Sequence, residues 1–261
     1  MMNLLVSIDE GNVMLLGELR NYNASLLQTN LFKDYCPNGV QVEGRAEVRR
    51  IATGVTASQH VLDEAIAWGA DAILVHHGYF WRNEDATIVG IKKKRIAQLL
   101  RNDVSLLAYH LPLDAHAELG NNAQLGKLLG FIEQGRFGDQ NIAWIGSSAQ
   151  SQTLAQLTLQ VEHALQRIPQ VIGEGAKQIR KVAWCSGGAQ GYFEAAIVQG
   201  ADAYITGEIS EQNFHLANET GVAFIAAGHH ATERFGILAL GEHLARQFGL
   251  EHRFFDQTNP I

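Results

Sequence analysis

Apolar positions in this chain follow two spacings, and their alternation predicts strands separated by helices. Apolar blocks at residues 51–55, 72–75, 104–108, 182–185 and 222–227 are too short for helices and predict buried strands. Between them the spacing changes to three and four, so residues 61–68, 122–129, 192–199 and 235–248 read as helices. Leu15, Leu16, Leu19, Tyr22, Leu26 and Leu27 predict an amphipathic helix beginning at Met14. Leu154, Leu157, Val161, Ala164 and Leu165 mark another. Strands and helices in this alternation imply an α/β architecture with largely parallel pairing.

The pattern occurs twice. Residues 50–77 align without a gap on residues 181–208, an offset of 131, with identities at Ala52, Gln59, Ala65, Ile66, Gly69, Ala70, Asp71 and Ala72. Each copy reads as strand, turn, helix, then Gly-Ala-Asp-Ala leading into a second strand. Gly69 and Gly200 fall where a helix end needs φ > 0. The echo continues from residues 104–110 to residues 222–228, each followed by a loop bearing a carboxylate, Asp114 or Glu233. The expectation is a duplicated α/β fold whose intertwined repeats form two pseudo-symmetric lobes with the functional site between them. The repeats are expected at residues 14–134 and 176–261, joined by a connecting portion at residues 135–175. Residues 1–13 lie outside the pattern and read as a leader or as a misassigned start ahead of Met14.

Composition narrows the class. With 261 residues and 46% hydrophobic content the chain can bury a substantial core. A net charge of −7 disfavours a nucleic-acid partner, and Lys92-Lys93-Lys94-Arg95 heads a helical pattern that reads as a solvated face. Two cysteines, Cys36 and Cys185, are too few for a disulfide framework and point to a reducing compartment. No stretch approaches the roughly 20 apolar residues of a membrane span, and no basic residue precedes Arg20 to start a secretory signal. A cytoplasmic protein is expected.

The candidate chemistry sits where the strands end. His76-His77 and His229-His230 each follow an apolar strand, and Asp114 and Glu233 are carboxylates at similar exits. Imidazoles and carboxylates converging there form the donor set of a divalent metal site. Neighbouring strand residues point to opposite faces, so His76 and His77 suit two ions of a pair better than one. His229 and Glu233 are four residues apart and share a helix face; His230 is turned off that face and is the weaker candidate. Thr232 reads as a helix cap. Three histidines and two carboxylates suit two divalent ions sharing a bridging Glu or water, and zinc, manganese, iron and nickel all accept that mixture.

Asp34-Tyr-Cys-Pro-Asn-Gly-Val-Gln-Val-Glu-Gly44, His76-His-Gly-Tyr-Phe-Trp81, His110-Leu-Pro-Leu-Asp-Ala-His116, Ile205-Thr-Gly-Glu208 and Gly228-His-His-Ala-Thr-Glu-Arg234 together resemble the YbgI branch of the Nif-three-like dinuclear metal family. Members of that family often carry the label GTP cyclohydrolase I type 2 homologue. The resemblance runs from about Leu16 to Pro260. It implies a duplicated α/β fold, a ring-shaped homohexamer, and a two-metal site in which the ligands fall on His76, His77, Asp114, His229 and Glu233, with Glu233 bridging.

Around those ligands, Glu208 and His110 are candidate catalytic groups, with Glu208 in the repeat position of His77 and a candidate general base. His215 and Asn38 are candidates to orient ligands or touch substrate. No G-x-x-x-x-G-K-[ST] loop occurs, and Gly187-Gly188 reads as a tight turn. The leading functional expectation is a metal-dependent hydrolase acting on a small nucleotide-like substrate. The alternative is a non-enzymatic ring that carries, delivers or scaffolds around metal.

Overall fold

The computed structural model describes residues 12–261. Two mixed sheets organise them. In the five-stranded sheet, Arg50–Thr56, Ala72–His77 and Ser105–Ala108 run parallel; Glu251–Phe254 adds in parallel beside Arg50–Thr56, and Gly39–Val42 closes the other edge antiparallel. In the six-stranded sheet the parallel centre is Gln178–Trp184, Ala203–Thr206 and Ala223–Ala226. Phe131–Phe137 and Ala143–Thr153 extend it antiparallel on one side, and Gln170–Ile172 on the other. The expected α/β class with parallel pairing at its centre is what forms. After the strands of the six-stranded sheet, the chain returns through its last helix to the first sheet, where Glu251–Phe254 pairs beside Arg50–Thr56.

The recurring Gly-Ala-Asp-Ala has a visible cause. Gly69 (φ 83°) and Gly200 (φ 74°) adopt the left-handed conformation that ends the preceding helix, a geometry costly for other residues. Two residues on, Asp71 Oδ2 accepts the backbone N–H groups of Arg49 and Arg50 at 2.8 and 2.9 Å. Asp202 Oδ2 does the same for Arg180 and Lys181, both at 2.9 Å. In the first copy the carboxylate ties the start of one strand to the start of the next, and in the second it ties Arg180 and Lys181, within Gln178–Trp184, to the start of Ala203–Thr206, so the strands are held in register at one end and their other ends set the site.

Apolar alternation places helices on both faces of each sheet. In the first, Ile51, Leu74 and Leu107 pack with Leu19, Ile237, Leu240 and Leu244, while Ala52, Ile73 and Leu106 face Val61, Leu62, Ile96 and Leu99. The second sheet buries Val182, Ile205 and Ile225 against Leu157 and Val161, and Ala183, Tyr204 and Phe224 against Phe193 and Ala217. Each fully buried large side chain contributes about 1.5–3 kcal/mol of transfer free energy, enough in sum to hold a polar cluster between the sheets.

Some expectations change. Met14 begins no helix: Met14–Leu15 pairs antiparallel with Glu47–Val48, and the helix is Leu16–Leu26. The apolar spacing there was satisfied by a buried strand residue as well as by a helix face. The expected leader at residues 1–13 falls almost wholly outside the described residues. Lys92 to Arg95 do lie on a helix, Gly90–Arg101, with Lys93 and Lys94 exposed. Among the described residues, no helix is long and apolar enough to cross a membrane.

Candidate metal centre

The strand Ala72–His77 ends at the interface of the two sheets and delivers both its histidines there. His76 is fully buried and His77 half-buried, with ring centroids 4.5 Å apart. Asp114 comes from the short helix Leu111–Ala115, which Pro112 starts in its first turn. His229 and Glu233 occupy the first turns of His229–Phe248, one helical turn apart.

These five side chains meet around Glu233. His76 Nε2 lies 3.4 Å from Glu233 Oε1 and 3.5 Å from Asp114 Oδ1. His77 Nε2 and His229 Nε2 lie 3.3 and 3.2 Å from Glu233 Oε2. The result is two triads, His76–Asp114–Glu233 and His77–His229–Glu233, each assembled on its own oxygen of one carboxylate. Metal–ligand bonds of about 2.0–2.2 Å at tetrahedral angles place neighbouring donors about 3.3–3.5 Å apart. The observed spacings match.

Two further observations test the fit. His76 Nε2 and Glu233 Oε2 are buried and have no hydrogen-bond partner among the described residues. Such orphaned groups cost about 1–3 kcal/mol each unless something satisfies them, and a cation would. The outer atoms are also oriented for it. His76 Nδ1–H donates to the Tyr109 carbonyl at 2.9 Å, and His229 Nδ1–H donates to Glu208 at 2.6 Å, so each presents Nε2 to the cluster. Asp114 Oδ1 accepts from Asn121 at 2.8 Å and from the Ser186 hydroxyl at 3.2 Å. The His/Asp/Glu clusters can hold metal ions.

Charge in the bare cluster follows the same logic. Burial opposes a charged His76, but Asp114 and Glu233 outweigh it and raise its pKa to about 10. Burial likewise opposes charge on His229, yet Glu233 and Glu208 lift it to about 9. His77 goes the other way, to about 3, because burial dominates and the neighbouring imidazoles reinforce it against Glu233. Glu233 is buried, and His77 and His76 still hold it well below the usual carboxylate range. Protons on His76 and His229 thus stand where cations would.

The neighbouring candidates separate. Glu208 is engaged at both oxygens, by His229 at 2.6 Å and by Gln190 at 3.3 Å, so its geometry is that of an orienting partner. His110 lines the cleft, with its ring 5.1 Å from His76 and 5.7 Å from His77. Asn38 Oδ1 accepts the His110 backbone N–H at 2.8 Å. His215 is exposed in a separate groove with Gln190 and Glu219, and His230 pairs with Asp256 at 2.8 Å. Thr232 is no N-cap: it lies inside the helix, where its hydroxyl donates to Gly228 and accepts from the Gly187 N–H at 2.9 Å.

Two contributors escaped the spacing argument. Gly187 (φ 69°) is more than a turn: a Cβ there would overlap Glu233 Oε1. Asp34 pairs with His110 Nδ1 at 2.7 Å across 76 residues of chain, a separation that no local periodicity reports. The cleft above the triads, about 540 Å³, is lined by Tyr35, Trp81, His110 and Tyr192 besides the cluster itself.

The sequence model of Duf34/NIF3 (NGG1p interacting factor 3) matches residues 14–260. The chain belongs to the Duf34/NIF3 family. Its Duf34/NIF3 relatives include the GTP cyclohydrolase 1 type 2 homolog of Neisseria meningitidis serogroup B, 59% identical over 234 residues, or 90% of this chain and 94% of that protein. The protein of the same name from Pseudomonas aeruginosa is 54% identical over 87% of this chain and 91% of its own length. Among solved structures, protein ybgI, described as of unknown function, superposes with a TM-score of 0.92 at 47% identity, covering 95% of this chain and all of that one. TTHA1606 from Thermus thermophilus follows the same fold, with a TM-score of 0.85 at 32% identity over 95% of this chain and 100% of its own.

Proposed function

We propose that this protein is a metal-dependent hydrolase with a dinuclear divalent centre held by His76, His77, Asp114, His229 and Glu233. The observation that carries this reading is the division of one carboxylate between two triads, with Glu233 Oε1 facing His76 and Oε2 facing His77 and His229. Three protein donors per ion leave further positions for water and substrate. Two such ions would polarise the electrophile and lower the pKa of water. Imidazole with carboxylate suits zinc, manganese, iron or nickel.

The chain's own residues then divide the work. Glu208 holds His229 in place, and His110 faces the cleft as the group that moves a proton. Tyr35, Trp81 and Tyr192 offer flat apolar walls to a planar ring. A nucleotide or a related cyclic amide or amidine suits such walls, and the GTP cyclohydrolase 1 type 2 homolog name of the relatives supports ring-opening hydrolysis. The proposal includes assembly as a six-membered ring, which rests on the family resemblance.

Elemental analysis of the purified protein, followed by a metal-restored screen of nucleotides, modified nucleosides and small cyclic amides, tests the reading. We expect two ions per chain and turnover that requires them. Catalysis that survives complete metal removal would overturn it. Metal-loaded protein that turns over nothing but exchanges its ions within seconds would make it a metal carrier instead.

A further inference from the structure

The loop from Asp34 to Asn38 is built around one imidazole. Asp34 Oδ1 accepts from the Tyr35 N–H at 2.6 Å and from His110 Nδ1–H at 2.7 Å. Its Oδ2 accepts from Asn38 Nδ2 at 2.8 Å and from the Leu111 N–H at 3.0 Å. Asn38 in turn receives the His110 backbone N–H at 2.8 Å, and the Trp81 ring stands edge-on to the His110 ring at 5.0 Å. The imidazole is therefore fixed in rotation and in position, and the proton it shares with the carboxylate lies on Nδ1.

That assignment leaves Nε2 of His110 without a hydrogen bond among the described residues, on a ring that lines the cleft. A ring nitrogen of His110 lies within 4.8 Å of donor atoms of His76 and His77, but the carboxylate it meets is not one of the five proposed ligands. His76, His77 and His229 each meet a carboxylate of the cluster at 3.2–3.5 Å, whereas the carboxylate that His110 meets is Asp34, on the side away from Nε2. Asp34 receives four donors on its two oxygens, about as many as a carboxylate has lone-pair sites.

We propose that Asp34 is the positioning residue that fixes His110 as its Nδ1–H tautomer, so that a bare Nε2 faces the metal cleft for proton transfer and not as an additional metal ligand. This rests on the hydrolase reading above for its chemical purpose, but the tautomer itself does not. An Asp34→Asn substitution is informative because its amide must turn NH2 toward two donors in either orientation. When NH2 faces His110, the imidazole accepts at Nδ1 and carries its proton on Nε2, which no longer accepts one.

The test is neutron diffraction from deuterated crystals of the zinc-loaded full chain. It should show deuterium on His110 Nδ1, none on Nε2, and Nε2 beyond the coordination distance of about 2.0–2.1 Å from either zinc. Elemental analysis of His110→Ala should still find both zinc ions. In Asp34→Asn with the amide NH2 toward His110, which the neutron map itself shows, the deuterium should move to Nε2, zinc content should hold, and kcat for bis(4-nitrophenyl) phosphate should fall about 100-fold with KM within about twofold. With the amide oxygen toward His110 the deuterium should stay on Nδ1 and kcat should be retained. Nε2 found bonded to zinc or deuterated in the unsubstituted protein, or an ion lost with His110→Ala, would overturn the proposal without needing any variant of Asp34. If the unsubstituted zinc protein leaves the phosphodiester intact, the hydrolase reading loses support while the neutron and zinc results still decide the role of Asp34.

Discussion

The two triads share a carboxylate but not an environment. His76–Asp114–Glu233 is buried throughout, with Asn121 and Ser186 locking Asp114 and Tyr109 locking His76. His77–His229–Glu233 keeps two half-buried imidazoles at the floor of the cleft. The contrast follows from the two strand ends that meet here. At the first, Ala72–His77 carries His76 and His77; at the position 131 residues on, Ala203–Thr206 is followed by Gly207 and Glu208. A Cβ at Gly207 would lie 2.5 Å from the His229 Cα. Glycine there admits the end of the helix His229–Phe248, and that helix brings the ligands which the second strand end lacks. An ion in the buried triad would be held as part of the core, while one in the open triad would face the cleft that water and substrate reach.

The largest expected effect removes the difference altogether. Glu233→Gln removes the charge that both triads share and replaces one of its two oxygens with an amide nitrogen that cannot ligate, so the protein should bind neither ion while retaining its circular dichroism spectrum; elemental analysis finding two ions per chain would break the comparison. Gly187→Ala should come close to this result, because its Cβ takes the space of the Glu233 carboxylate and the residue must also hold φ at 69°.

Next come changes that split the pair. His229→Ala should cost the open-triad ion and leave the buried one, with the reverse for His76→Ala. Chelator-driven release from the unsubstituted protein should accordingly be biphasic, the cleft-facing ion leaving first. A single phase would mean the two sites exchange as one. Gly236→Ala acts at one remove. Its Cβ would collide with Asn121 Oδ1, and Asn121 is the donor that holds Asp114. Loss of such an outer partner typically weakens metal affinity by roughly 10- to 100-fold, here for the buried ion alone, as competitive titration would show.

The smallest effect is a pH dependence. In the metal-free protein His76 and His229 are raised to about 10 and about 9, so near neutral pH loading must displace one proton from each. Affinity should climb with pH and level off above about 10, and calorimetry in buffers of different ionisation enthalpy counts the protons. The same raised values mean that these charged histidines stabilise the bare fold fully below the ordinary 6.5. That contribution is lost as pH rises through about 9 and about 10. The melting temperature of the metal-free protein should decline over that window more than that of the loaded protein.

Much of this arrangement was legible in the residue order because it is local. Apolar period and Gly-ended helices placed the strands, the offset of 131 exposed the matching Asp71 and Asp202 stitches, and the i, i+4 spacing joined His229 to Glu233. Periodicity misread Met14 because a two-residue strand and a helix start present the same apolar side chains. What only the tertiary structure decided is which oxygen of Glu233 serves which triad, that Gly187 is empty space reserved for that carboxylate, and that Asp34 reaches His110 from 76 residues away. Those facts depend on how two sheets and one long helix pack against each other. Packing is set by the summed burial of many side chains, and no single segment of the chain encodes it.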